Sequence, residues 1–284
     1  MLTKKLVFTA SRILVTISVV TKLRGANMPV ELDLNLVILL ISFGFLAAFV
    51  DAVVGGGGLI ALPALMFAGL NPAAAVATNK LAGTLGALTS TISFYRSGQL
   101  EIRSVIKYFP LSFIGSLLGA WTVHLINPEL LKPIMLIMLA AVAVYTIFKK
   151  DWGSVSAVKH LSRTHLLLFM LLLFSIGFYD GFLGPGTGSF LIFSFLLVGF
   201  DFLKAAGNAK FLNLASNFAG LLMFAYLGHI HYVYGLLMGV AQIAGALVGS
   251  RMAIKKGSGF VRVLFIIVTI TLLTKNAYDY IVVR

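Results

Sequence analysis

The chain has 284 residues, of which 60% are hydrophobic and only 11% are charged, whereas soluble domains are usually about 25% charged. It has no cysteine, so disulfides, thiolate metal ligands and thiol catalysis are excluded. The net charge of +13 lies in short loops between apolar runs, which is typical of membrane topology determinants rather than of nucleic-acid binding. Those runs are continuous and approach about 20 residues, so they predict an all-α polytopic membrane protein and not a barrel.

Taken in order, the chain begins with an N-terminal extension over residues 1–27. An extra spanning helix, an interfacial helix and a leader-like segment all stay open for it. Membrane repeat 1 is expected over 28–148, a basic linker over 149–164, and membrane repeat 2 over 165–284. We expect about 8–10 transmembrane segments, short half-helices included. The predicted apolar spans lie at 35–54, 59–69, 72–94, 104–125, 130–148, 165–183, 189–200, 203–227, 233–250 and 260–279.

A polar break in the apolar pattern occurs twice. Asp51 is followed by four consecutive glycines, and Asp180 by the sequence Gly-Phe-Leu-Gly-Pro-Gly-Thr-Gly. Glycine costs about 1 kcal/mol in a helix interior, so each cluster predicts the end of a helix. Lys80 and Lys210 occupy equivalent places further on, about 130 positions apart. The chain therefore contains an internal repeat with a broken helix in each copy.

Loop charge indicates that the two repeats have opposite orientations. The loop at 95–107 is basic, whereas its counterpart at 225–237 has no Lys or Arg. By the positive-inside rule, 95–107, 149–164 and 251–262 are cytoplasmic, and the loops near 127 and 230 lie outside. Inverted repeats with broken helices are typical of secondary transporters. Channels also use re-entrant half-helices, so a pore stays open as an alternative.

The glycine-rich turns are the predicted substrate-binding site. The first N–H groups of a helix have no partner within it, and flanking glycines let an anion approach closely. The alternative is tight helix packing through small residues. The predicted binding glycines are Gly55, Gly56, Gly57, Gly58, Gly184, Gly186 and Gly188.

Lys80 and Lys210 are predicted to lie about 12 Å into their helices, where an unpaired charge costs about 2.5–3.5 kcal/mol. They either attract an anion or pair with Asp51 and Asp180; both interpretations stay open. The two aspartates end their helices, where they could couple transport to a proton or cation, or clamp the glycine turn. Uncharged candidates that could orient an oxyanion or join helices are Thr78, Asn79, Asn208, Asn213 and Asn217.

Other chemistry is not indicated. No catalytic constellation is visible, so we expect no enzyme, and no cofactor or metal is predicted. His229 and His231 fall in an outer loop and are interpreted as solvated. The glycine-rich segment at 184–189 lacks the lysine and hydroxyl of a phosphate-binding loop, which argues against ATP-driven transport.

These motifs resemble the TauE/SafE sulfite-exporter family, also called the toluene-sulfonate uptake permeases, over about residues 30–284. The likeness is strongest to bacterial inner-membrane permeases of that family whose substrates are unassigned. It implies a multi-pass permease of the inner membrane for sulfur-containing or other small organic anions. The matching segments are Phe49-Val-Asp-Ala-Val-Val-Gly-Gly-Gly-Gly-Leu, Pro63-Ala-Leu, Ala77-Thr-Asn-Lys-Leu, Phe178-Tyr-Asp-Gly-Phe-Leu-Gly-Pro-Gly-Thr-Gly-Ser and Ala209-Lys-Phe-Leu-Asn.

The function expected from the sequence is thus secondary transport of a small anion, with a sulfur oxyanion or organosulfonate as substrate and a coupling proton. The partners are that anion and the lipid bilayer, with no nucleic acid. An anion channel and a non-transporting scaffold or receptor are the alternatives. Flux without saturation would favour the channel, and no flux at all would favour the scaffold.

Overall fold

The computed structural model of the chain describes residues 33–127, Leu130 and 162–282, with the backbone alone over 258–282. The predictions for residues 1–27, for the span at 130–148 and for the linker up to residue 161 lie outside the described residues. The backbone divides into two compact units, Met1–Val37 and Ile38–Arg284. Of the first, the structure describes the start of one helix; everything below concerns the second.

Helices account for all the regular structure of the described ranges, which contain no strand. Two of these helices are short, and each follows a glycine-rich turn. The elements are α1 (Leu34–Val54), α2 (Gly58–Phe67), α3 (Pro72–Arg96), α4 (Ile102–Val105), a 3-10 turn (Ile106–Tyr108), α5 (Phe109–Leu125), α6 (Arg163–Phe182), α7 (Thr187–Leu197), α8 (Phe202–Leu227) and α9 (Tyr232–Val282).

Local chemistry explains where the helices begin and end. Asn71 caps α3 by accepting from the backbone N–H of Ala74 at 2.9 Å, and Asp201 caps α8 by accepting from Leu203 at 2.9 Å. Such side-chain oxygens satisfy N–H groups that the first turn of a helix leaves without a partner. The last helix, α9, is interrupted at Gly257, where φ is 76° and ψ is −171°. The predicted loop at 251–262 is therefore largely helical, with one break.

Three helices in the described part of the chain are long and apolar enough to cross a membrane: Leu34–Val54, Arg163–Phe182 and Tyr232–Gly257. The outer face of α6 is apolar, as contact with lipid requires: Leu167 and Leu171 are 66% and 61% exposed. α3 and α8 are of similar length, with 25 and 26 residues, but each carries a buried lysine and a buried serine, and α8 also carries buried asparagines. An all-helical membrane protein, as the composition predicts, is confirmed.

Glycine lets neighbouring helices touch backbone to backbone. A Cβ on Gly119 of α5 would lie within van der Waals overlap of the Phe178 carbonyl oxygen of α6. A Cβ on Gly249 of α9 would lie 2.5 Å from the Phe49 carbonyl oxygen of α1. Real Cβ atoms do not come so close, so these crossings require glycine. The tight crossings bring the ends of α1 and α6, with Asp51 and Asp180, into the interior.

Candidate functional site

The first glycine turn joins α1 to α2 and is held by Asp51. Gly55 has a φ of 82°, a conformation that residues with a side chain rarely adopt. Its N–H donates to the backbone carbonyl of Asp51 at 3.0 Å. The N–H of Gly57 donates to Asp51 Oδ1 at 3.2 Å. Asp51 therefore clamps the turn, and the Gly57 N–H, expected to face an anion, is directed at this carboxylate.

The second glycine turn joins α6 to α7 and is held by hydroxyl groups. Gly184 has a φ of 86°, and its carbonyl accepts from Thr187 Oγ1 at 2.8 Å. The hydroxyl of Tyr179 donates to the carbonyl of Pro185 at 2.7 Å. The second turn thus depends on side chains that the first turn does not have.

The two turns contact each other directly. The backbone N–H of Ser189, at the start of α7, donates to the carbonyl of Gly55 at 3.1 Å. The Ser189 hydroxyl donates to the carbonyl of Val54 at 2.8 Å. A Cβ on Gly188 would lie 2.4 Å from the Gly55 Cα, so no side chain fits between the turns. The glycines at this contact are required by the close approach of two backbones.

Each buried lysine forms an ion pair with the aspartate that lies in the opposite half of the chain. Lys80 of α3 lies 3.0 Å from Asp180 Oδ1, and Lys210 of α8 lies 2.6 Å from Asp51 Oδ2. The lysine side chains are 1% and 0% exposed. Because a buried charge without a partner costs several kcal/mol, these pairs explain how the two lysines are tolerated in apolar surroundings. Of the two interpretations that the sequence left open for these lysines, pairing with the aspartates is the one observed.

The two pairs differ in how completely the carboxylate is satisfied. Asp51 uses both oxygens, one for Lys210 and one for the Gly57 N–H, and its side chain is 24% exposed. Asp180 is only 3% exposed, and its Oδ2 has no hydrogen-bond partner among the described residues. Buried oxygens are nearly always partnered in proteins. Asp180 Oδ2 is consequently an acceptor in the interior that the described part of the chain leaves without a donor.

A polar cavity of about 30 Å³ lies where the turns meet. A water molecule needs about 10–15 Å³ of such space, so the cavity has room for about two or three waters. Helix N-terminal N–H groups at Gly58 and Gly188 border it, and these have no partner in their own helices. Predicted site residues that line it are Asp51, Gly55, Gly57, Gly58, Asn79, Asp180, Gly184, Gly188, Asn213 and Asn217.

The other predicted residues lie behind the cavity or away from it. Lys80 and Lys210 reach it through their aspartates, and Gly56 and Gly186 belong to the turns without lining it. Thr78 Oγ1 accepts from the N–H of His231 at 3.0 Å. In the same way Asn208 Oδ1 accepts from the N–H of Glu101 at 3.0 Å. These two side chains therefore join helices to loops, the second of the roles considered for them.

Sequence reasoning missed four residues of the cavity lining: Ala47, Gly83, Thr187 and Gln242. Gln242 could have been found, because a buried amide in the apolar sequence of α9 is a polar residue in a candidate span. Gly83 is explained by its neighbour, since a Cβ there would lie 2.9 Å from Asn217 Oδ1. That approach depends on the fold and leaves no signal in the sequence.

His229 and His231, predicted to lie in an outer loop, are partly buried rather than fully solvated. The rings of His124 and His229 lie with their centroids 5.8 Å apart. Burial, and to a smaller extent the neighbouring His124, lowers the pKa of His229 from its ordinary value. Burial also lowers the pKa of His231. No group of three or more His, Cys, Asp or Glu that could hold a metal is present in the part of the chain that the structure describes.

Apolar helices, paired buried charges and a polar cavity at two touching helix ends are the features of a membrane transporter. The comparison with known families agrees and is more specific. The chain belongs to the sulfite exporter TauE/SafE family, whose sequence model matches residues 40–275. The family resemblance found in the sequence motifs is thereby confirmed.

Three relatives extend over nearly the whole chain. A protein of Sinorhizobium sp. named "Probable membrane transporter protein ORF9" is 38% identical over 88% of this chain and 95% of its own length. A Haemophilus influenzae protein named "Probable membrane transporter protein" is 35% identical over 88% and 97%. The Escherichia coli K12 protein named "Probable membrane transporter protein YfcA" is 37% identical over 82% and 87%. None of these names states a substrate. No solved structure matches the chain.

Proposed function

We propose that this protein is a secondary transporter that moves a small sulfur oxyanion or organosulfonate across the bacterial inner membrane. The observation that carries the proposal is the direct contact between the two glycine turns beside a polar cavity, with Ser189 donating to Gly55 at 3.1 Å. Helix ends that meet in the interior of a membrane protein are where transporters bind substrate and coupling ion. The sulfur chemistry is taken from the family description.

Reciprocal contacts support two inverted repeats, 28–148 and 165–284, joined by a cytoplasmic linker. A two-fold arrangement produces every contact twice, with the partners exchanged. Here Lys80 pairs with Asp180 while Lys210 pairs with Asp51. The same exchange relates other contacts about 130 positions apart: Thr78 to His231 and Asn208 to Glu101, and Gly115 to Phe174 and Gly245 to Phe45.

In the proposed site, the substrate anion lies between the starts of α2 and α7. The N–H groups of Gly58 and Gly188 are donors at the positive ends of the two helix dipoles. The amides of Asn79, Asn213 and Asn217 line the same cavity and can orient oxyanion oxygens. Because the cavity in this structure has room for only about two or three waters, an anion larger than that requires the cavity walls to separate. The structure thus corresponds to a contracted form of the proposed site.

Proton coupling follows from the charge balance of the cavity. Two lysines and two aspartates cancel, so an anion that enters adds a net negative charge close to the free oxygen of Asp180. A proton on Asp180 Oδ2 removes that repulsion and gives the empty site a net positive charge, which a monovalent anion then neutralises. Asp51 cannot serve equally, since both its oxygens are engaged. Proton and anion are therefore proposed to bind together.

The ionisable groups around Asp180 are few. Lys80 faces it from α3, Tyr179 precedes it in α6, and the Asp51–Lys210 pair lies across the cavity. α7 contains no ionisable side chain, and the one in α5 is His124, which lies five residues beyond Gly119, where α5 crosses α6. The proton that affects anion binding is thus assigned to Asp180.

Counterflow in proteoliposomes tests the transport proposal. Purified protein is reconstituted and loaded with sulfite, thiosulfate, an alkyl sulfonate or a carboxylate, and exchange is followed between pH 5.5 and 8. We expect saturable exchange for a sulfur oxyanion or sulfonate and none for empty liposomes. Flux that does not saturate and shows no exchange would favour a channel. The absence of flux for every anion would favour a scaffold or receptor.

A matched pair of variants tests the assignment of the proton. Asp180→Asn keeps an oxygen for Lys80 but cannot ionise, so exchange should continue and lose its pH dependence. Asp51→Asn should keep the pH dependence. Retention of the wild-type pH profile by Asp180→Asn, with the profile lost in Asp51→Asn, would exchange the two roles.

A further inference from the structure

A second depression, separate from the cavity between the glycine turns, lies between α3 and α9. It has a volume of about 430 Å³ and is lined by basic and apolar side chains from the last turns of α3 and the middle of α9. The basic members are Arg96, Arg251 and Lys255. We refer to this depression as the basic groove.

The basic groove has an excess of positive charge without local compensation. None of the described side chains that line it is acidic. The three basic residues form no ion pair with any described residue, and all three are exposed. Three cations held close together repel each other, so an anion that bridges them is favoured.

The groove also contains apolar side chains. Ile92, Leu247 and Ile254 line it together with the basic residues and with three hydroxyl-bearing residues, and Ile92 is 42% exposed. On a membrane protein, apolar side chains beside basic ones suit a lipid whose headgroup is anionic and whose acyl chain contacts the apolar side chains. A free anion would use the basic side chains only.

The position along the chain places this groove at the cytoplasmic surface of the bilayer. Arg96 starts the basic loop at 95–107, and Arg251 starts the basic segment at 251–262, both cytoplasmic by the positive-inside rule. At the equivalent positions of the other repeat the chain has Tyr226 and Trp121. These aromatic side chains are 82% and 43% exposed and suit an uncharged membrane interface. The basic groove therefore has no counterpart of the same chemistry.

We propose that the basic groove is a binding site for an anionic phospholipid, with the phosphate held by Arg96, Arg251 and Lys255. An anionic lipid in this groove bridges α3, which carries Lys80, and α9, which carries Gln242 of the transport cavity. The proposal does not depend on which substrate is transported.

The test is a comparison of lipids that share acyl chains and differ in headgroup. Delipidated full-length protein in detergent is titrated with phosphatidylglycerol or phosphatidylcholine, and lipid binding is measured by native mass spectrometry. We expect tighter binding of phosphatidylglycerol. Each basic residue near a membrane surface contributes about 1 kcal/mol, or about fivefold in affinity. The double variant Arg96→Gln/Arg251→Gln should therefore lose about 25-fold for phosphatidylglycerol and clearly less for phosphatidylcholine, whose choline cation offsets the charge of its phosphate.

Two further variants serve as controls. Arg103→Gln removes an equally exposed cation that lies outside the groove, so it should leave the preference unchanged. Arg96→Lys/Arg251→Lys retains the charge and should retain most of the preference, which guards against misfolding of the first variant. Equal binding of both lipids, or an undiminished preference in the double Gln variant, would overturn the proposal. So would glycerol 3-phosphate competing as well as the intact lipid, since the site would then bind the phosphate alone.

Discussion

The two glycine turns lie at equivalent positions of the predicted repeats but differ in their chemistry. In the first, Asp51 is partly exposed, and both of its oxygens have partners. In the second, Asp180 is 3% exposed and keeps one oxygen without a partner among the described residues. The backbone is stabilised in the first turn by a carboxylate and in the second by hydroxyls. Two carboxylates at equivalent positions of the sequence are thus engaged to different extents, and the proposed proton uses the oxygen that the second one keeps without a described partner.

The largest expected difference between the two turns is in how much stability the protein loses when the lysine paired with each aspartate is removed. Lys80→Ala leaves Asp180 buried without a counter-charge, and removal of one partner of a buried pair costs about 3–5 kcal/mol. Lys210→Ala should cost clearly less, since Asp51 keeps the Gly57 N–H and is 24% exposed. The melting temperatures of the two single variants in detergent measure both losses. The double variant Lys80→Ala/Asp180→Ala should recover part of the loss, and equal losses in the two single variants would contradict the difference.

Contact between the turns gives the next effect. Gly188→Ala would place a Cβ 2.4 Å from the Gly55 Cα, and backbone cannot yield as a flexible side chain does. Overpacking of this kind costs about 1–3 kcal/mol or more, and we expect lower melting temperature and loss of transport. Gly56→Ala is the matched control, since its Cβ would have no neighbour nearer than 3.7 Å. If Gly188→Ala were as stable as Gly56→Ala, the close approach would be wrong.

The smallest effect concerns one hydroxyl. Ser189→Ala removes the hydrogen bond to the Val54 carbonyl, 2.8 Å long and buried, and such a bond contributes about 1 kcal/mol net. Ser194→Ala removes a hydroxyl of the same helix that donates only to the carbonyl of Phe190, one turn before it. It should change little. A difference in melting temperature between the two variants reports the bond between the turns.

Much of the fold could be predicted from the sequence because its signals are local. Runs of apolar residues, Asn71 and Asp201 as caps, and glycine clusters as breaks fix helix ends to within a few residues. The break in α9 was less accurately predicted, since Gly257 interrupts a helix where a longer loop was expected. A single glycine between helical stretches does not distinguish a kink from a loop.

The site was only partly predictable. The pattern of Asp51, Asp180 and two lysines indicates ion pairs, but sequence spacing does not say which lysine meets which aspartate. The distances between helices determine which lysine pairs with which aspartate. The same distances require a glycine at position 83, because the side chain of Asn217 lies against it. The oxygen of Asp180 that has no partner likewise depends on the absence of a donor from the described helices around it. Such facts belong to tertiary packing and have no local signature.

The exchange of partners between the two ion pairs has a consequence for biosynthesis. Lys210 and Asp51 are 159 residues apart, so the ribosome has delivered the first carboxylate to the membrane long before its lysine is made. Neither buried ion pair can form until the second half of the chain has been made, because each joins α1 or α3 to α6 or α8. Lys80 and Asp51 are therefore synthesised well before the partners that make their burial tolerable.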